Sequence, residues 1–181
     1  MTDNELSLWE LQARLIYAVL VAGKSAEFAE MKTLALVGNR VDDLPFQIIN
    51  DHIVCGDIED WLRRERTGSY GRLVKCLPDL IRLDPHNCTI QELEAVHGVG
   101  PKTSRFYILW TRPDAMCAAL DTHVLKWLRS LGYDAPKSTP QTGARYEELE
   151  QAFLREAKER GTTPRELDYE IWAWYATRGN Q

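Results

Sequence analysis

Apolar residues recur along this chain at spacings of three and four, and no stretch alternates with the period of two that marks a strand. Leu8, Leu11, Leu15, Val19 and Ala22 give one helical face over 6–22, with Ser7 placed to cap its start. Gly23-Lys24-Ser25 reads as a stop and restart before a second helix over 26–37, ended by Gly38-Asn39. It is not a phosphate-binding loop, because the upstream glycine frame is missing. A short helix over Phe46–Asn50 follows Pro45. Another opens at Asp57 and runs to Arg66, and a third spans 72–83 with Pro78 as a kink. Thr89-Ile90-Gln91-Glu92 has capping-box spacing and opens a helix over 90–96. Further helices are predicted after Pro101, over 122–131 with Gly132 as the stop, over 143–159, and over 165–176. With no strand signal and no internal repeat, the fold class is all-α.

One junction between these helices carries candidate chemistry. Val96-His97-Gly98-Val99-Gly100-Pro101-Lys102-Thr103 puts two glycines around one apolar residue, then a proline where a new helix begins. The first N–H groups of that helix have no internal partner and sit at the positive end of its dipole, so a phosphate could approach them across the glycines. The plain alternative is a corner that binds nothing. Nineteen positions after Lys102 comes Asp121, where the N-cap of the 122–131 helix belongs.

Composition alters this picture only in part. The net charge is −5, which argues against a nucleic-acid partner. The charge is unevenly spread, however. Residues 61–82 hold Arg63, Arg64, Arg66, Arg72, Lys75 and Arg82 against Glu65 and Asp79; residues 98–131 hold Lys102, Arg105, Arg112, Lys126 and Arg129 against Asp114 and Asp121. Ordinary solvated helix faces would look the same. Cys55, Cys76, Cys88 and Cys117 form no C-x-x-C pair, so neither a zinc site nor a disulfide framework is expected, and the thiols read as reduced and cytoplasmic. His86, Cys88 and His97 match no zinc spacing. No apolar run is long enough to span a membrane, and Met1-Thr2-Asp3-Asn4-Glu5 does not read as a leader.

The segment from Leu93 to Thr103, taken with Ala119-Leu120-Asp121-Thr122-His123, resembles the helix-hairpin-helix DNA glycosylase superfamily. Arg165-Glu166-Leu167-Asp168-Tyr169-Glu170-Ile171-Trp172 is similar to the tail of the type-2 8-oxoguanine DNA glycosylase/AP lyases. The resemblance implies residues 1–181 as one unit of two helical lobes flanking a cleft, with the hairpin at 89–111. It implies a monomer acting on double-stranded DNA that contains a damaged base, with no membrane, in the cytoplasm or at a prokaryotic nucleoid. Lys102 would be the nucleophile, forming a Schiff base that permits β-elimination, and Asp121 would stabilise charge on the sugar. Gly98, Val99, Gly100 and Thr103 would hold the DNA backbone.

His123 would contact phosphate or sugar, or else lie on a helix surface. Trp172 would stack on the flipped base, while Trp9, Trp61, Trp110, Trp127 and Trp174 are read as core. The family tail usually ends in lysine; here Gln181 stands there, and its amide or the terminal carboxylate would be the acceptor for 8-oxoguanine, unless the tail is frayed. No cysteine follows Cys117, so no iron–sulfur cluster is expected, and no catalytic metal; the resemblance implies a monovalent cation on the hairpin carbonyls. The competing readings are the same scaffold acting on another damaged or hypermodified base, and a non-catalytic hairpin protein that binds DNA backbone only.

Overall fold

The computed structural model describes residues 6–38, 43–140 and 143–178, with side chains described as far as Tyr175 in the last helix. Gln181 lies outside the described residues. Among the described residues the chain is all helical: α1 Leu8–Leu20, α2 Ala26–Val37, α3 Pro45–Cys55, α4 Ile58–Arg64, α5 Tyr70–Leu80, α6 Ile90–Ala95, α7 Pro101–Thr111, α8 Thr122–Ser130, α9 Ala144–Glu159 and α10 Pro164–Arg178. The chain divides into two compact units, Met1–Val99 and Gly100–Gln181. The boundary falls inside the hairpin stretch 89–111.

The unit Met1–Val99 is built from α1 to α6. α1 packs on α2 and α3, and α4 and α5 join α3. Its core is apolar, with Leu15, Val19, Ile49, Leu62, Leu77 and Leu93 all buried. Helix starts are fixed locally. Ser7 and Glu10 form a reciprocal capping box on α1, as do Thr89 and Glu92 on α6, and Ser25 caps α2 by accepting from Phe28 N–H. α3 is longer than the five residues expected. Pro45 stands at its first turn, where a missing N–H costs nothing, and the helix runs on until Gly56 adopts φ +74°. α5 begins two residues earlier than expected and carries Pro78 within its last turn.

The unit Gly100–Gln181 is built from α7 to α10, with α10 packed against α7, α8 and α9. Its core joins Leu120, Val124 and Leu128 to Tyr146, Phe153 and Ile171. Each side chain of this size contributes about 1.5–3 kcal/mol on burial. Residues 115–120 form no regular element and lead into Asp121, whose N–H turns back to Ala119 O at 2.7 Å.

Candidate active site

Within the second unit, three ionisable side chains from three elements act on one another. Lys102 stands one position into α7, Asp121 caps α8, and Asp168 lies in the first half of α10. The Lys102 side chain is half-buried with its Nζ 4.7 Å from the centre of the Phe106 ring. Burial holds its pKa below the usual lysine value, although the charges of Asp121 and Asp168 pull it upward. A larger share of this amine is therefore neutral near pH 7 than of an exposed lysine, and only the neutral amine is a nucleophile.

Asp121 accepts from the N–H groups of both His123 and Val124 at 2.8 Å, and both bonds fall on Oδ1. Capping thus occupies one oxygen of the carboxylate, and the second is not needed for it. Asp168 is 7% exposed and accepts from Trp110 Nε1 at 3.1 Å. Burial, and then the charge of Asp121, push its pKa up to about 7, while the Trp110 indole and Lys102 act in the other direction. The sequence reading placed Asp168 in the tail without a role. Its environment depends on Trp110, which is 58 positions away along the chain, so local pattern could not show it.

On the hairpin, Gly98 has φ +76°, and a Cβ there would meet the Arg72 side chain at 2.7 Å. Close approach at this glycine is thus made by the protein itself. Arg72 Nη2 donates to Val19 O at 2.9 Å and Nη1 lies 3.5 Å from Gly98 O, tying α1, α5 and the turn together. A guanidinium thus lies beside one of the hairpin carbonyls, on which the resemblance implied a monovalent ion. The Val99 N–H is bonded to Val96 O and the Thr103 N–H to Gly100 O, so neither backbone donor is spare for a phosphate. The Thr103 side chain is buried. Among the described residues, the N–H groups of Gly98, Gly100 and Lys102 make no such bond.

The remaining expected residues are placed less uniformly. His123 stacks on Tyr175 at 5.6 Å with an interplanar angle of 9°, and Lys126 lies over the other partner of that pair, its Nζ 4.6 Å from the Tyr175 ring centre. Trp172 is exposed and stacks on Tyr169 at 6.2 Å. Trp61 is core, but Trp174 is 52% exposed and not core. Trp110 is half-buried and engaged with Asp168.

The basic stretch 61–82 is less positive than its count. Arg63, Arg64 and Arg82 pair with Glu59, Asp57 and Asp79, and Arg72 is used on carbonyls. Among the described residues no group of three or more His, Cys, Asp or Glu side chains is gathered as a metal site, and no helix is long and apolar enough to cross a membrane.

No protein-family model matches the chain. Its fold is similar to two solved structures. One is the 8-oxoguanine DNA glycosylase of Thermotoga maritima, with a TM-score of 0.66 and 20% identity over 96% of this chain and 82% of that one. The other is the 8-oxoguanine DNA glycosylase of Methanocaldococcus jannaschii, with a TM-score of 0.66 and 19% identity over 96% of this chain and 80% of that one. At this identity the likeness is one of fold.

Proposed function

We propose that this chain is a bifunctional DNA glycosylase/AP lyase that removes an oxidised purine, 8-oxoguanine, from duplex DNA. The observation that carries the reading is a half-buried lysine whose burial lowers its amine pKa against the pull of two carboxylates, on a fold shared with glycosylases of that substrate. In this reading the target nucleotide leaves the base stack before reaction. The Lys102 amine attacks C1′ as the C1′–N9 bond breaks, and the base departs with its electron pair and takes up a proton. Asp121 stabilises positive charge developing on the sugar. The adduct opens to a Schiff base, which acidifies the C2′ proton; its loss expels the 3′ phosphate and nicks the strand.

The spare N–H groups of Gly100 and Lys102 at the start of α7 support a grip on one backbone phosphate. Trp172, exposed and already stacked on an aromatic neighbour, supports a role as the platform for the flipped base. The protein would act as a monomer in the compartment that holds the DNA.

The reading is tested on a panel of duplexes bearing single lesions, with and without borohydride. Preferred release of 8-oxoguanine, nicking and a trapped adduct support it. Release of a different base moves the substrate assignment, and duplex binding without any release or nicking replaces the enzyme with a backbone-binding protein.

A further inference from the structure

The irregular segment before Asp121 is held largely by side chains. Four backbone groups of two buried residues are involved. Ala118 N–H donates to Glu150 Oε1 at 2.9 Å, and Ala118 O accepts from the Tyr146 hydroxyl at 2.8 Å. Leu120 N–H donates to that hydroxyl at 3.2 Å, and Leu120 O accepts from Thr139 Oγ1 at 2.7 Å. Tyr146 and Glu150 are one turn apart on α9, and both are buried. The same two residues reach α7. Glu150 Oε1 also accepts from Arg105 Nε at 2.8 Å, and the Arg105 guanidinium lies 4.5 Å from the centre of the Tyr146 ring. Pro101 O is a second acceptor for the Tyr146 hydroxyl at 3.4 Å, and Arg105 Nη1 is at the same distance from it. The Tyr146 hydroxyl therefore touches the residue before Lys102 and the residue before Asp121.

We infer that Tyr146 and Glu150 are positioning residues that fix the start of α7 against the 115–120 segment and so set the separation of the Lys102 amine from the Asp121 carboxylate. The geometry suits this better than a general core role. The Tyr146 hydroxyl bonds the backbone immediately before each reacting group, Glu150 holds Ala118 two positions further back, and one element supplies both tethers. A buried ion pair whose carboxylate oxygen also accepts a backbone N–H specifies one arrangement of its neighbours even where it adds little net stability. Loosening it would let water reach Lys102 and shift a reacting distance, and a displacement of about 1 Å costs on the order of a hundredfold in rate.

The inference rests on the enzyme reading above, so its test has two arms. In single-turnover base release from an 8-oxoguanine duplex, Tyr146→Phe and Glu150→Ala are each expected to slow the chemical step about tenfold to a hundredfold, with duplex affinity held. Glu150→Gln keeps an acceptor for Ala118 N–H and restores most of the rate. In the second arm, trace labelling with acetic anhydride across pH reads the Lys102 pKa by mass spectrometry without any DNA. It rises toward the ordinary lysine value in Tyr146→Phe, because burial no longer holds it down.

If Tyr146→Phe does not fold, Thr139→Val removes the side-chain bond to the Leu120 carbonyl and carries both readings. A lower melting temperature with an unchanged rate and an unchanged Lys102 pKa overturns the inference and leaves a fold brace. Absence of any reaction by the wild-type protein overturns the enzyme reading instead, and the labelling arm still decides the positioning.

Discussion

The two units handle buried polar groups differently. Among the described residues of Met1–Val99 the buried polar side chains are neutral and serve the backbone: Gln12 accepts from Phe46 N–H, Thr33 donates to Ala29 O, and Thr67 to Leu62 O. In Gly100–Gln181 the buried set includes two carboxyls, Glu150 and Asp168, beside the half-buried amine of Lys102. Burying a charge is costly unless it is paired. Glu150 is paired, with Arg105 and a backbone N–H. Asp168 has an indole donor and the field of Lys102, and its raised pKa records how incompletely these compensate. The first unit follows the rules for a stable helical core; the second departs from them around one lysine. Such local departures mark where function is to be sought.

The largest break in this comparison comes from Lys102→Gln. It should drop base release and nicking to background in single-turnover assays while duplex binding persists, because the nucleophile is gone and the fold is not.

Asp121→Asn should be next. Asparagine is as good an N-cap as aspartate, so the melting temperature should change little. Base release should fall about 10²–10³-fold, as when a transition-state charge partner is removed. Equal losses in stability and rate would reduce Asp121 to a cap.

Asp168→Asn tests the unpaired buried charge through pH. The folded pKa of about 7 lies above the ordinary 3.8, so the native state holds a proton that the unfolded chain releases. That contribution to stability is fully present below the ordinary value and is lost as pH rises toward and through about 7. In the asparagine variant, urea titrations across this window should lose that decline. The negative charge that raises the Lys102 pKa is also removed, so the rise of rate with pH should move to lower pH.

The smallest effect belongs to the first unit. Gly98→Ala must hold φ +76° and displace Arg72, at a cost of about 1–3 kcal/mol in chemical denaturation.

Much of the fold was legible because helix ends are written locally. Ser7 with Glu10, Thr89 with Glu92, and Pro101 each announce a start within four residues. Where a residue's role depends on distant chain, the pattern misled. The helix expected over Phe46–Asn50 runs from Pro45 to Cys55, with Gln12 of α1 accepting from the Phe46 N–H. Trp174 looked like core and is exposed. The basic count over 61–82 ignored Asp57 and Glu59, which lie just upstream and pair with it. Lys102 and Asp121 stood out through the hairpin spacing. Asp168, Tyr146 and Glu150 did not, since each is defined by partners 26 to 58 positions away. The one available signal was a lone carboxylate beside the buried Leu167 and three positions before Ile171.

The central claim is that the Lys102 amine is the nucleophile. The protein is mixed with an 8-oxoguanine duplex under borohydride, digested, and its peptides sequenced by mass spectrometry. The account predicts a reduced sugar remnant on Lys102. An adduct on another lysine or on the chain's α-amino group, with Lys102 unmodified, would contradict it.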